Sequence, residues 1–169
     1  DDTKASHSNE WKGSDAQKWS TDFAGTTKGA YGYYGITSAF SKQEAAGLIA
    51  TVKSDNAYNA GQYNVNLAAS ADILNGDKVF FLSAEEAETY FPAGEKGNSS
   101  RKSSGSGQGI WWLRSPYKDS SFKVGTINGD GSVSATQANY FWGARPAFNL
   151  DTNAVLFISA AVGGKAENF

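Results

Sequence analysis

Ile110-Trp111-Trp112-Leu113-Arg114-Ser115-Pro116 is answered about thirty residues later by Trp142-Gly143-Ala144-Arg145-Pro146-Ala147-Phe148. Each run sets an arginine among aromatic and aliphatic residues, in a chain that has only three arginines among its 169 residues. Strand-forming side chains bounded by Gly and Pro predict strands at Gly109 to Arg114 and Ala144 to Leu150, paired in one framework. Alternation along the first strand turns Trp111 and Trp112 to opposite faces, so at most one of them is expected fully in the core. The other meets a loop or solvent, where an aromatic face can stack on the apolar side of a sugar. Packing is the competing role for both, since Trp is a large core filler in a chain without Met.

Outward from these runs, β-branched and aromatic clusters predict further strands at Lys78 to Leu82, Phe122 to Ile127, Ser132 to Thr136 and Val155 to Ile158. The sheet is therefore expected mostly in the second half. Asn128-Gly129-Asp130-Gly131 supplies residues that accept positive φ, which predicts an antiparallel hairpin between the two strands flanking it. Three helix starts share one pattern, a Ser followed three residues later by Glu or Gln: Ser14 with Gln17, Ser41 with Glu44, and Ser83 with Glu86. Ala45, Leu48, Ile49 and Val52 then predict a helix from Lys42 to Lys53. Ala16, Trp19 and Phe23 predict a shorter one, as do Ala84, Ala87 and Phe91, which Pro92 halts. Ala24 to Gly35 reads as an irregular segment of spaced glycines and tyrosines. Ala93 to Gly109 reads as a mobile Gly/Ser-rich loop with nothing to pack.

A length of 169 residues predicts one domain. Polar residues 1–10 read as an N-terminal arm, 11–159 as the α+β body, and 160–169 as a tail or link to a further segment. A net charge of -2 without a basic run speaks against nucleic acid or an anionic membrane as partner. No run approaches the roughly 18–20 apolar residues that span a bilayer, so no membrane insertion is expected. Cys is absent, which rules out disulfides and thiolate metal sites, and the absence of Met reads as a processed or excised segment. Richness in Gly, Ser, Asn, Thr and Tyr, with 14% aromatics and no Cys, points to a secreted or cell-surface location.

With its helix starts, Val79-Phe80-Phe81-Leu82-Ser83-Ala84-Glu85-Glu86, the WWLRSP run and the GARPAFNL run in that order, the chain resembles a bacterial family of unknown function. Members of that family recur in surface and secreted proteins, and they are similar to the C-type-lectin-like fold that also carries formylglycine-generating enzymes. Spanning roughly Trp11 to Ser159, the resemblance implies an α+β, C-type-lectin-like domain: a twisted antiparallel sheet with short helices and long loops. Trp111, Trp112, Arg114, Arg145 and Pro146 are then its structural signature. Such folds usually begin with a strand, whereas Asp1 to Glu10 is polar. A missing first strand would leave a sheet edge open to another chain, copies of this one included.

Chemistry is sparse. His7 is the only histidine, and no G-x-S-x-G elbow or phosphate loop occurs. The cysteines of the formylglycine-generating relatives have no counterpart. Glu85, Glu86 and Glu88, or Asp119 with Asp130, are the only candidates for an acid and a base acting on a sugar. Capping and the helix dipole account for the three glutamates, and a turn accounts for Asp130. Asn128 and Asp130 fall short of a calcium loop, so neither a metal nor a cofactor is expected. Arg114 and Arg145 read as fold-holding guanidiniums paired to carbonyls or a carboxylate, with an anion clamp as the alternative. Ligand contact is instead expected from loop residues: Tyr31, Tyr33 and Tyr34, then Tyr117 and Asp119, then Tyr140 and Trp142 with Phe141 between them. Together these features predict a non-catalytic recognition or adhesion module for a glycan or surface protein. The alternatives are a subunit of an extracellular filament or surface layer built by strand addition, and a glycan-active enzyme.

Overall fold

Three short helices and nine strands make up the residues that the computed structural model describes, namely 9–24, 40–53, 58–60, 65–67, 74–92, 101–103 and 109–153. In chain order they are α1 (Asp15–Ala24), α2 (Lys42–Ala46), β1 (Thr51–Lys53), β2 (Tyr58–Ala60), β3 (Val65–Leu67), β4 (Leu74–Asp77), β5 (Val79–Phe81), α3 (Ala84–Tyr90), β6 (Trp111–Pro116), β7 (Lys123–Ile127), β8 (Val133–Gln137) and β9 (Pro146–Phe148). The strands pair antiparallel as β1–β4, β2–β3, β5–β9 and β6–β7–β8, an α+β arrangement.

Strand β5 is the centre. All three of its residues are buried, so each face must be covered by something else. On one face the Phe81 ring lies 5.5 Å from Trp11 and 5.9 Å from Trp19 of α1. On the other, the Arg114 guanidinium of β6 lies 5.7 Å from the Phe80 ring. Its edge takes β9 in register, with Val79 opposite Phe148 and Phe81 opposite Pro146. The three sequence runs thus converge. WWLRSP puts Trp111 and Leu113 into the core, and its Ser115 Oγ accepts the Ala84 N–H at 3.0 Å, one of the amides that the start of α3 leaves unpaired. GARPAFNL reaches the same place by a different route: Gly143 bridges Trp111, and the Arg145 guanidinium sits 5.0 Å from the rings of both Trp111 and Phe91.

Both Ser41–Glu44 and Ser83–Glu86 form reciprocal capping boxes. At α1 the Ser14 Oγ accepts the Gln17 N–H at 3.0 Å, but the Gln17 side chain reaches one residue further back, to the Gly13 N–H at 2.7 Å. The β7–β8 hairpin forms where the NGDG turn requires it. Gly131 N–H donates to the Asn128 carbonyl at 2.8 Å, Gly131 takes φ of 85°, and Asp130 accepts from the Ser132 N–H at 2.8 Å.

Three expectations are corrected. The helix foreseen to Lys53 stops at Ala46, where Gly47 caps it, and the chain turns into a bridge at Leu48 opposite Leu150 and then into β1. Its apolar stripe splits in consequence, Leu48 buried and Val52 76% exposed. The β-branched Ile49, Thr51 and Val52 favour the extended form, and Lys53 is carried to a partner described below. Strands also occupy the first half, because β2, β3 and β4 are three or four residues long and too short for a visible alternation. Finally, the loop before β6 is packed in its described part. Arg101 is buried with its side chain on Glu88 at 3.2 Å, its carbonyl accepts the Trp111 indole N–H at 2.9 Å, and a Cβ on Gly109, which has φ of 73°, would come within 2.3 Å of the Ser103 carbonyl. The strand foreseen at Val155 to Ile158 lies outside the described residues, as do residues 1–8 of the arm.

Candidate functional site: an aromatic cleft

The turn at Trp11 to Ser14 that feeds α1 is pinned by Asp77 at the end of β4. One Asp77 carboxylate oxygen accepts from the Gln17 amide at 2.8 Å and from the Trp11 indole at 3.4 Å, and the other accepts the Asn75 N–H at 3.0 Å. Just before the turn, Asn9 is sewn to the connection between β6 and β7. Its side-chain amide is shared among the carbonyls of Tyr117, Ser120 and Lys123 at 3.1, 2.8 and 2.9 Å, and its N–H donates to Ser121 at 3.0 Å. These ties hold the start of α1 across from β6.

On the far side, the segment after β8 is held along β6 by two main-chain bonds. Trp112 N–H donates to the Gly143 carbonyl at 3.0 Å, and Gly143 N–H to the Ile110 carbonyl at 2.9 Å. Between these walls lies a cleft of about 690 Å³, within the range of roughly 300–1,000 Å³ in which small ligands are held. Trp19 of α1, Trp112 of β6 and Phe141 of the returning segment line it, above a floor that includes Leu113 and Arg114. Phe141 is 97% exposed. At the rim stand Glu10, Lys12, Asp15 and Lys18, with Asp15 and Lys18 joined at 3.1 Å.

Arg114 of the lining also belongs to a largely buried ionic cluster. Arg114 donates to a Glu86 carboxylate oxygen and, at 2.9 Å, to the Phe81 carbonyl, while Lys53 reaches the other Glu86 oxygen at 2.5 Å. Burial pushes the Glu86 carboxyl up, but the Arg114 charge and hydrogen bond, the Lys53 ammonium and the Ser83 N–H together bring it below its ordinary value. The cluster ties β1, α3, β5 and β6 together. Its Arg114–Glu86 core is buried while Lys53 stays partly exposed, so the guanidinium beside the cleft is already committed.

Of the residues expected from the sequence to meet a ligand, Tyr31, Tyr33 and Tyr34 lie outside the described residues. Tyr117 is half-buried with the Lys123 ammonium 5.6 Å from its ring, and Asp119 is exposed in the connection after β6. Tyr140 is exposed with its ring 5.8 Å from the half-buried Trp142. The lining of the cleft includes none of these four; it takes Phe141, between the last two, and Trp112. The sequence reading missed Trp19, taken as part of an apolar helix stripe, and the rim from Asn9 to Lys18. Nothing local marked the rim residues. Among the described residues no group of three or more His, Cys, Asp or Glu is placed to hold a metal, and no helix is long and apolar enough to cross a membrane.

No curated protein and no solved structure matches the chain. A family described as a domain of unknown function (DUF6273) matches residues 1–152, which is most of the length, and the chain belongs to it.

Proposed function

We propose that this domain is a non-catalytic recognition or adhesion module of a bacterial surface or secreted protein, with the aromatic cleft as its ligand site. The observation that carries the reading is Phe141, an apolar ring 97% exposed at a cleft that Trp19 and Trp112 also line. A lone exposed apolar residue needs no explanation, but one at the mouth of a ligand-sized aromatic cleft is placed where contact gains the most. The non-catalytic reading takes Asp15 at the rim as the partner of Lys18 and of the α1 dipole rather than as an acid or a base. The antiparallel pairing of β5 with β9, reached by a return of the chain along β6, supports a C-type-lectin-like fold, which we adopt as part of the proposal.

Labelled domain titrated onto bacterial envelopes and onto extracellular matrix tests this. Saturable binding that Phe141→Ala abolishes is expected. Binding that is not saturable on any surface, or that survives Phe141→Ala unchanged, refutes the cleft as a recognition site.

A further inference from the structure

We infer that the cleft takes a neutral glycan, its pyranose rings stacked on Trp112 and Phe141. The inference rests on the recognition reading and names its ligand class.

Three properties of the cleft select this chemistry. The first is charge. The rim sets Glu10 and Asp15 against Lys12 and Lys18, and the Asp15–Lys18 pair neutralises itself at 3.1 Å. The guanidinium in the floor is fully buried and already bound to Glu86 and to the Phe81 carbonyl. A sulfated, phosphorylated or uronic acid chain would need an excess of converging cationic donors, whereas this rim balances two lysines with two carboxylates and the one guanidinium of the lining is committed to Glu86.

The second property is the state of the strand in the wall. An extended peptide gains affinity by adding to an open strand edge. Here both edges of β6 are taken: β7 pairs along one, while Trp112 N–H is bound to Gly143 and Arg114 N–H to the Leu82 carbonyl at 3.0 Å on the other. A peptide laid in the cleft would find no main-chain ladder and would leave its own amides unpaired.

The third property is what remains, namely aromatic faces. Trp112 is half-buried, packed against the core and also lining the cleft, and Phe141 stands free of the body. A pyranose carries C–H groups on one face and hydroxyls round its edge. The face stacks on a ring, and the hydroxyls reach water and the mixed-charge rim without the desolvation cost of an ionised group.

Affinity electrophoresis of the intact chain tests the inference. The gels hold either neutral polysaccharides (a β-glucan, a mannan, a galactan) or polyanions (polygalacturonate, chondroitin sulfate), and a tiled array of unstructured peptides is probed in parallel. Retardation by at least one neutral polysaccharide is expected, with affinity falling roughly tenfold in Phe141→Ala and unchanged in Val52→Ala, an exposed apolar control outside the cleft lining. Circular dichroism of Phe141→Ala should match the parent, because the ring supports nothing else. Retardation by polyanions alone, or binding only to peptides with sensitivity to Phe141→Ala, overturns the neutral-glycan assignment while the recognition reading stands. Neutral-glycan retardation that Phe141→Ala leaves unchanged places the sugar elsewhere and overturns the stacking site. No retardation by any neutral polysaccharide overturns the inference, and the surface titration above then decides the recognition reading by itself.

Discussion

Replacing Glu86 by Gln keeps the shape of the side chain and removes the charge that faces both Arg114 and Lys53. The two cations are not equivalent. The Arg114 side chain has no exposed surface, whereas that of Lys53 is 36% exposed. Stranding a fully buried guanidinium costs about 3–5 kcal/mol. The Phe81 carbonyl and the carboxamide oxygen of Gln remain as acceptors, so the lower end, about 3 kcal/mol, is the figure to expect. The Lys53 limb, screened by water, contributes only about 0–1 kcal/mol. Equilibrium urea unfolding reads the difference directly. With a slope of about 2 kcal/mol per molar, Glu86→Gln should lower the midpoint by roughly 1.5 M, and Lys53→Gln by less than about 0.5 M. Acid supplies a second reading. The folded-state carboxyl is held below its ordinary value of 4.5, so its contribution is complete above that pH and is lost as pH falls through the lowered folded value. Stabilities of the parent and Glu86→Gln should therefore converge below pH 4.5 and separate above it. Equal losses from Lys53→Gln and Glu86→Gln, or a pH-independent gap between parent and variant, would refute the assignment of the energy to the buried pair.

Further perturbations probe the ties around the cluster and the cleft. Ser115→Ala leaves the buried Ala84 N–H without its acceptor and should cost about 1–2 kcal/mol, a fall of roughly 3–6 °C in Tm by calorimetry. An unchanged Tm would mean that the start of α3 is satisfied otherwise. Gly109→Ala meets both a left-handed backbone and a carbonyl 2.3 Å from the new Cβ, so it should destabilise by more than Gly76→Ala, which has φ of 93° but open space. Equal Tm losses in the two variants would dismiss the close approach. Asn9→Ala removes the amide that three carbonyls share and should cost about 1–2 kcal/mol in urea unfolding; a neutral result within about 0.5 kcal/mol would show that the residue is held by its main chain alone.

The elements legible in the sequence are those whose cause is local. Capping boxes at Ser41 and Ser83, the NGDG hairpin and the alternation through Trp111 and Trp112 each depend on a few consecutive residues, and all appear in place. The helix drawn to Lys53 failed because period 3.6 and a bend into β1 bury Leu48 equally well; what decides between them is a distant event, the pairing of Leu48 with Leu150 and of Lys53 with Glu86. The Glu86 reading was incomplete for the same reason. Its capping role is local and was visible, while its meeting with Arg114, 28 residues on, is tertiary.

A cleft is harder still to read, since it is a relation among segments and no single period encodes it. Asn9 meets Tyr117 across 108 positions, and Trp19 faces the cleft from a helix whose stripe also serves the core. The WWLRSP run shows why the frame and the site cannot be separated by motif alone. Trp111 and Leu113 pack inward, Arg114 and Ser115 lock α3, and Trp112, turned the other way by the same alternation, becomes a wall of the cleft. Substituting within that run perturbs frame and cleft together. Phe141 escapes this coupling because it projects from the returning segment and packs on nothing, so a change in binding there without a change in Tm isolates the site from the scaffold that carries it.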